Sequence, residues 1–176
     1  MLLQAEVILV MAKRLVLNSL LVAVSLIIFI IEGLIPPLAP IPGIKIGLAN
    51  IITLFAIYRV GNRDAFMILM VRIFIASVFA GQVMTLFYSL AGGVFCWVAM
   101  VVVKKWLDDS KLWATSVIGA VFHNLGQIIV AVIVMQTKEI FFYFPFLLVS
   151  GMIAGAFTGL CCRLLVKHFD KIQGYI

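Results

Sequence analysis

The run Glu32-Gly-Leu-Ile-Pro-Pro-Leu-Ala-Pro-Ile-Pro-Gly-Ile-Lys-Ile-Gly-Leu-Ala-Asn50 interrupts a series of apolar segments and decides how the chain is divided. It holds four of the five prolines, two charges and an asparagine. Proline blocks helix continuation and lacks a backbone donor, so this segment facing lipid would leave polar backbone groups unpaired at a cost of several kcal/mol each. It is therefore expected to lie against protein or water, as an outward-facing or re-entrant loop between a first and a second membrane helix.

The flanks of this loop set its surroundings. Of 176 residues, 65% are hydrophobic and only 11% charged; soluble domains are about 45–50% apolar and about 25% charged. An all-α integral membrane protein follows. Upstream, Leu15–Ile31 is a largely apolar run of 17 residues, just long enough for a ~30 Å hydrocarbon core. Met1–Val10 is mildly apolar and lacks the basic start and small-residue cleavage site of a signal peptide. It reads as a short interfacial helix, and Met11-Ala-Lys-Arg14 offers an alternative start that makes the first ten residues an upstream extension.

Downstream, Ile46–Tyr58 is apolar for 13 residues, which as helix is only about 20 Å. It cannot cross alone. After the polar turn Arg59–Asp64, residues 65–103 are apolar except for Arg72 and a few neutral polar groups. As one helix they would extend roughly 58 Å, about twice the hydrocarbon thickness, so they are expected to fold into two spans turning at Gly81-Gln82. The charged loop Lys104–Lys111 precedes a span from Trp113 to Met135. A polar turn at Thr137–Glu139 leads to a last span, Phe141–Val166, broken near Pro145. The expected architecture is a six-transmembrane-helix bundle: a single transmembrane domain over residues 15–167, a cytoplasmic segment 1–14 and a cytoplasmic tail 168–176.

Lys and Arg positions orient it. With the N-terminus inside, the inner loops carry Lys13, Arg14, Arg59, Arg63, Lys104, Lys105, Lys111, Arg163, Lys167 and Lys171, against Lys45 and Lys138 outside. This positive-inside bias puts both termini in the cytoplasm and the proline loop outside. It accounts for the net charge of +6, so a nucleic-acid partner is not expected.

Arg72 should lie near mid-membrane, where a central Arg costs about 2.5–3.5 kcal/mol on insertion scales and therefore turns inward, either to an anionic ligand or to backbone carbonyls and Glu32. His123, Asn124 and Gln127 form a polar stripe on one span, fit for ligand contact or for interhelical hydrogen bonds. Lys45 and Asn50 stand at the N-terminus of the short helix, an anion-binding arrangement with Glu32 as counter-charge; the alternative is a rim ion pair between Lys45 and Glu32. These residues favour a carboxylate, phosphate or diphosphate over a cation. Gly151, Gly155 and Gly159, and more weakly Ser19 and Ala23, are small residues four apart, suited to close helix packing or to a partner surface. Asp108-Asp109 reads as a solvated loop, since Ser110-Lys111-Leu112 follows in place of a second aspartate a turn later. Cys96, Cys161 and Cys162 have no metal-binding or disulfide spacing. No catalytic residues, metal site or cofactor are expected in this chain.

Pro42-Gly-Ile-Lys-Ile-Gly-Leu-Ala-Asn-Ile51, Arg72 with Phe87-Tyr-Ser-Leu-Ala-Gly92, and Gly119-Ala-Val-Phe-His-Asn-Leu-Gly-Gln127 together resemble the Gx transporter family, also called heptaprenyl diphosphate synthase component I. The resemblance covers roughly residues 30–165. That family is similar to the substrate-binding S components of energy-coupling factor (ECF) transporters of the bacterial cytoplasmic membrane. It implies a lipid-embedded capture subunit that takes a small ligand from outside and works with a coupling subunit and ATP-consuming ATPases. The other name implies a non-catalytic membrane component that assists a soluble prenyl synthase subunit in menaquinone side-chain synthesis. Transport is the expectation taken forward, with no enzyme activity in the chain itself.

Overall fold

The computed structural model describes residues 2–35 and 47–173. The proline loop, with Lys45 and the expected lid at Pro42-Gly43, lies outside the described residues.

Among the described residues six α-helices follow in order: α1 (Leu2–Gly33), α2 (Asn50–Arg59), α3 (Asn62–Ala80), α4 (Val83–Val103), α5 (Leu112–Met135) and α6 (Phe144–Gln173). Short 3-10 turns, Asp109–Lys111 and Lys138–Tyr143, precede α5 and α6. Among the described residues four segments are long and apolar enough to cross a membrane: Gln4–Gly33, Val83–Val103, Asp109–Met135 and Lys138–Lys171. The ten-residue α2 is about 15 Å long, too short to cross, and α3 carries Arg63, Asp64 and Arg72 along its 19 residues.

Several boundaries differ from expectation. α1 is continuous from Leu2, with no separate interfacial helix and no break at residue 14, because residues 2–14 contain neither Gly nor Pro. Pro145 does not break the last helix: α6 begins at Phe144, so the proline sits in the first turn, where its missing N–H removes no intrahelical bond. The helix also runs on through Gln173, so residues 168–173 of the expected tail are helical. The turn at Gly81-Gln82 is present. Gly81 closes α3 in the left-handed region (φ 64°), which glycine reaches without a Cβ penalty.

α5 packs between α4 and α6. A Cβ at Gly126 would stand 2.7 Å from the Ala91 carbonyl oxygen, and one at Gly155 would stand 2.9 Å from Val117 Cα. With no hydrophobic force between helices in lipid, such small residues are what let backbones touch and gain dispersion contacts. Gly151 and Gly159 lie against α5 in the same way, facing Asn124 and Trp113. Ser116 Oγ and Thr158 Oγ1 hydrogen-bond across this seam at 2.8 Å.

α2 is the most enclosed element: Leu54, Ala56 and Ile57 are fully buried. Its C-terminal end is held by Lys104 Nζ, which donates to the Ile57 carbonyl at 2.6 Å, and by the Tyr58 hydroxyl, 3.1 Å from both Leu107 O and Thr115 Oγ1. A cation at a helix C-terminus also complements the macrodipole. Arg59 forks onto Asp170 at 2.7 and 2.8 Å and reaches Asp109, and these bonds, Asp170 foremost, hold its guanidinium above its ordinary pKa.

Candidate functional site

Glu32, in the last turn of α1, is buried. Its carboxylate accepts the backbone N–H of Gly47 at 2.6 Å and of Leu48 at 2.9 Å. These groups lie just ahead of α2, whose N-cap residue, Ala49, has no capping side chain. The anion at this helix entrance is thus supplied by the chain itself, and α2 carries a carboxylate at its N-terminal end and Lys104 at the other. Gly47 sits in the left-handed region (φ 86°), and a Cβ there would meet the Asn50 amide at 2.8 Å and the His123 ring at 3.1 Å, so the turn into α2 is pressed against both side chains.

Asn50 and His123 join α2 to α5, with Asn50 Nδ2 3.2 Å from His123 Nδ1. His123 also hydrogen-bonds to the backbone of Gly92 on α4. A Cβ at Gly92 would fall 2.8 Å from His123 Cε1 and 3.1 Å from Gln127 Cγ, so the imidazole and Gln127 both press close against that helix.

Arg72 enters from α3. It is 6% exposed and interacts electrostatically with Glu32, Cys96 and His123, so it draws α1, α4 and α5 to one centre. Its Nε is buried and has no hydrogen-bond partner among the described residues. A guanidinium is charged at any physiological pH, and leaving a charged donor buried and unmatched costs more than the 1–3 kcal/mol typical of a neutral one. The Asn50 side-chain oxygen is likewise buried without a described partner.

Glu32, Asn50, Arg72 and His123, far apart in sequence, therefore converge, with Gln127 beside them. Asn124 points away: its amide donates to the Leu147 carbonyl of α6, in space left by Gly151. Ser19 and Ala23 of α1 are exposed, Ser19 at a cleft toward α3. Gly92 was not among the sequence candidates, and a glycine inside an apolar helix signals only close approach, not by what. Among the described residues no three His, Cys, Asp or Glu side chains are grouped to hold a metal.

A second polar group lies on the α1–α3 side. Arg14 Nε donates to Asp64 Oδ2 at 2.9 Å and Asn18 Nδ2 to Asp64 Oδ1 at 3.1 Å. Asn18, a polar residue inside the apolar run of α1, was the available signal for it.

A family model described as heptaprenyl diphosphate synthase component I matches residues 21–165, and the chain belongs to that family. No curated protein and no solved structure matches the chain.

Proposed function

We propose that this family member is the non-catalytic membrane component of a two-part heptaprenyl diphosphate synthase, serving a separate soluble subunit that performs chain elongation. The observation that carries this reading is the family match, which extends from the middle of α1 through most of α6. A lengthening prenyl chain is increasingly apolar while its diphosphate stays charged, so a soluble enzyme that makes it benefits from a membrane protein at the boundary. In this reading the chain is a multi-pass protein of the bacterial cytoplasmic membrane with both termini inside. α3 crosses beside the four long apolar segments, its Arg72 turned into the bundle, and α2, too short to cross alone, forms the inner part of a sixth passage. The test is product chain length, measured with the soluble subunit in proteoliposomes with and without this chain. Heptaprenyl diphosphate is expected only when both are present; full-length product from the soluble subunit alone overturns the reading.

One observation favours a second reading, capture of a small anion for uptake in the manner of an S component. It is the unmatched Arg72 Nε in a buried centre with Asn50 and His123. This reading expects a small anion to stay bound through gentle purification, seen by native mass spectrometry, and copurification with a coupling subunit and ATPases. Absence of both removes it.

A further inference from the structure

The seam between α1 and α3 is not closed. A cleft of about 520 Å³ runs along it, with Val22 of α1 on one wall and Met67, Val71 and Ile75 of α3 on the other. Met67 and Val71 are 59% and 41% exposed, so the cleft opens sideways to the surface that lipid would cover. From Asp64 to Ile75 it follows α3 for eleven residues, roughly 16 Å at 1.5 Å per residue. That is about half of the ~30 Å hydrocarbon thickness, the depth of a single leaflet.

One end is polar and basic. Asn18, Ser19 and Asp64 line it. Asp64 is already engaged by Arg14 and Asn18, and Lys13 and Arg63 adjoin that pair in sequence. Three cations against one carboxylate make this end of the α1–α3 pair net positive, beside the mouth of an apolar trough. This is the pattern of a long-chain amphiphile with a strongly anionic head. It differs from the Arg72 centre, which is enclosed and has no comparable apolar length. The basic end also carries the inner-loop Lys and Arg residues, and so faces the side on which a soluble synthase subunit would work.

We propose that the α1–α3 cleft holds a prenyl diphosphate, with the chain along Met67, Val71 and Ile75, its free end trailing into the bilayer, and the diphosphate at the Lys13–Arg14–Arg63 rim. The inference rests on the synthase-component reading for the choice of a prenyl chain over a phospholipid.

The test uses the full chain in phosphatidylcholine nanodiscs and geranylgeranyl diphosphate bearing a diazirine on the second isoprene unit from the diphosphate. Photolabelling is expected on peptides of α1 and α3 that line the cleft. Val71→Trp, a lipid-facing change that fills the trough, should lower labelling at least fivefold without shifting the unfolding temperature. Lys13→Gln with Arg63→Gln should lower it at least threefold and reduce its salt dependence. A tenfold excess of phosphatidylglycerol should leave the labelling in place. Labelling outside the cleft, indifference to Val71→Trp, or full competition by phosphatidylglycerol would each overturn the proposal. Labelling of the cleft with product length independent of this chain would instead remove the synthase-component reading while leaving the site.

Discussion

The α5–α6 and α1–α3 seams are both built from largely apolar helices and end up opposite in character. Along the first, Gly151, Gly155 and Gly159 let the backbones meet, and Ser116 bonds Thr158 across the contact. Along the second, larger side chains hold the helices apart, and the contact is pinned at one end by Arg14, Asn18 and Asp64. Lipid tails are as apolar as leucine, so hydrophobicity does not close a seam; small residues and polar pairs do. The first seam is closed along its glycines, and the second keeps a cleft along α3.

The largest expected effect comes from breaking the closed seam. Gly155→Leu must displace Val117 and the Ser116 carbonyl, a backbone shift costing about 3 kcal/mol. Thermal unfolding in detergent should show it as a clear drop, and an unchanged midpoint would mean that the seam is loose. Next is Arg72→Met, on the α3 face turned toward the closed half. Replacing this buried cation, whose Nε is unmatched, by an apolar side chain of similar length leaves Glu32 its Gly47 and Leu48 N–H donors, so the unfolding temperature is expected to be unchanged or raised. Retention of a small anion should fall at least tenfold, which corresponds to about 1.4 kcal/mol. If stability and retention fall together, Arg72 is a structural tie and the second functional reading weakens.

Asp64→Asn probes the open seam and has a smaller effect, about 0.5–1 kcal/mol, because Arg14 is 59% exposed and well hydrated. Spin labels at Ala23→Cys and Met67→Cys should report a broader distance distribution, and the difference from the parent protein should shrink in high salt. The smallest effect is expected for Arg59→Gln. Its partners Asp109 and Asp170 are about half exposed, so the loss in unfolding free energy should be below about 1 kcal/mol and screened by salt.

The candidate centre was only partly legible in advance. Arg72 and His123 are conspicuous because a charge or an imidazole in an apolar run is costly and so turns inward. Asn124 looked equivalent to His123 by spacing, yet its amide serves Leu147 on α6, since neighbouring positions on a helix face different neighbours. Glu32 read as the internal counter-charge at the helix entrance or as a rim partner of Lys45; its bonds to the Gly47 and Leu48 N–H groups, which hold the turn before α2, had no signal in the sequence.

The amino-acid sequence by itself determined the membrane character, the helical class and many of the helix limits. Lipid offers backbone groups no partners, so long apolar runs must be helices, and polar or glycine-bearing breaks such as Gly81 must be turns. Only the tertiary structure decided which faces meet: Glu32 with the turn at Gly47, Asn50 with His123, Arg14 with Asp64, Gly92 beneath the imidazole. In water an apolar stripe reveals the inward face of a helix. Here the inner and outer faces are equally apolar, so the pattern carries little trace of helix rotation, and the facing is set by small residues and a few polar pairs distant in sequence.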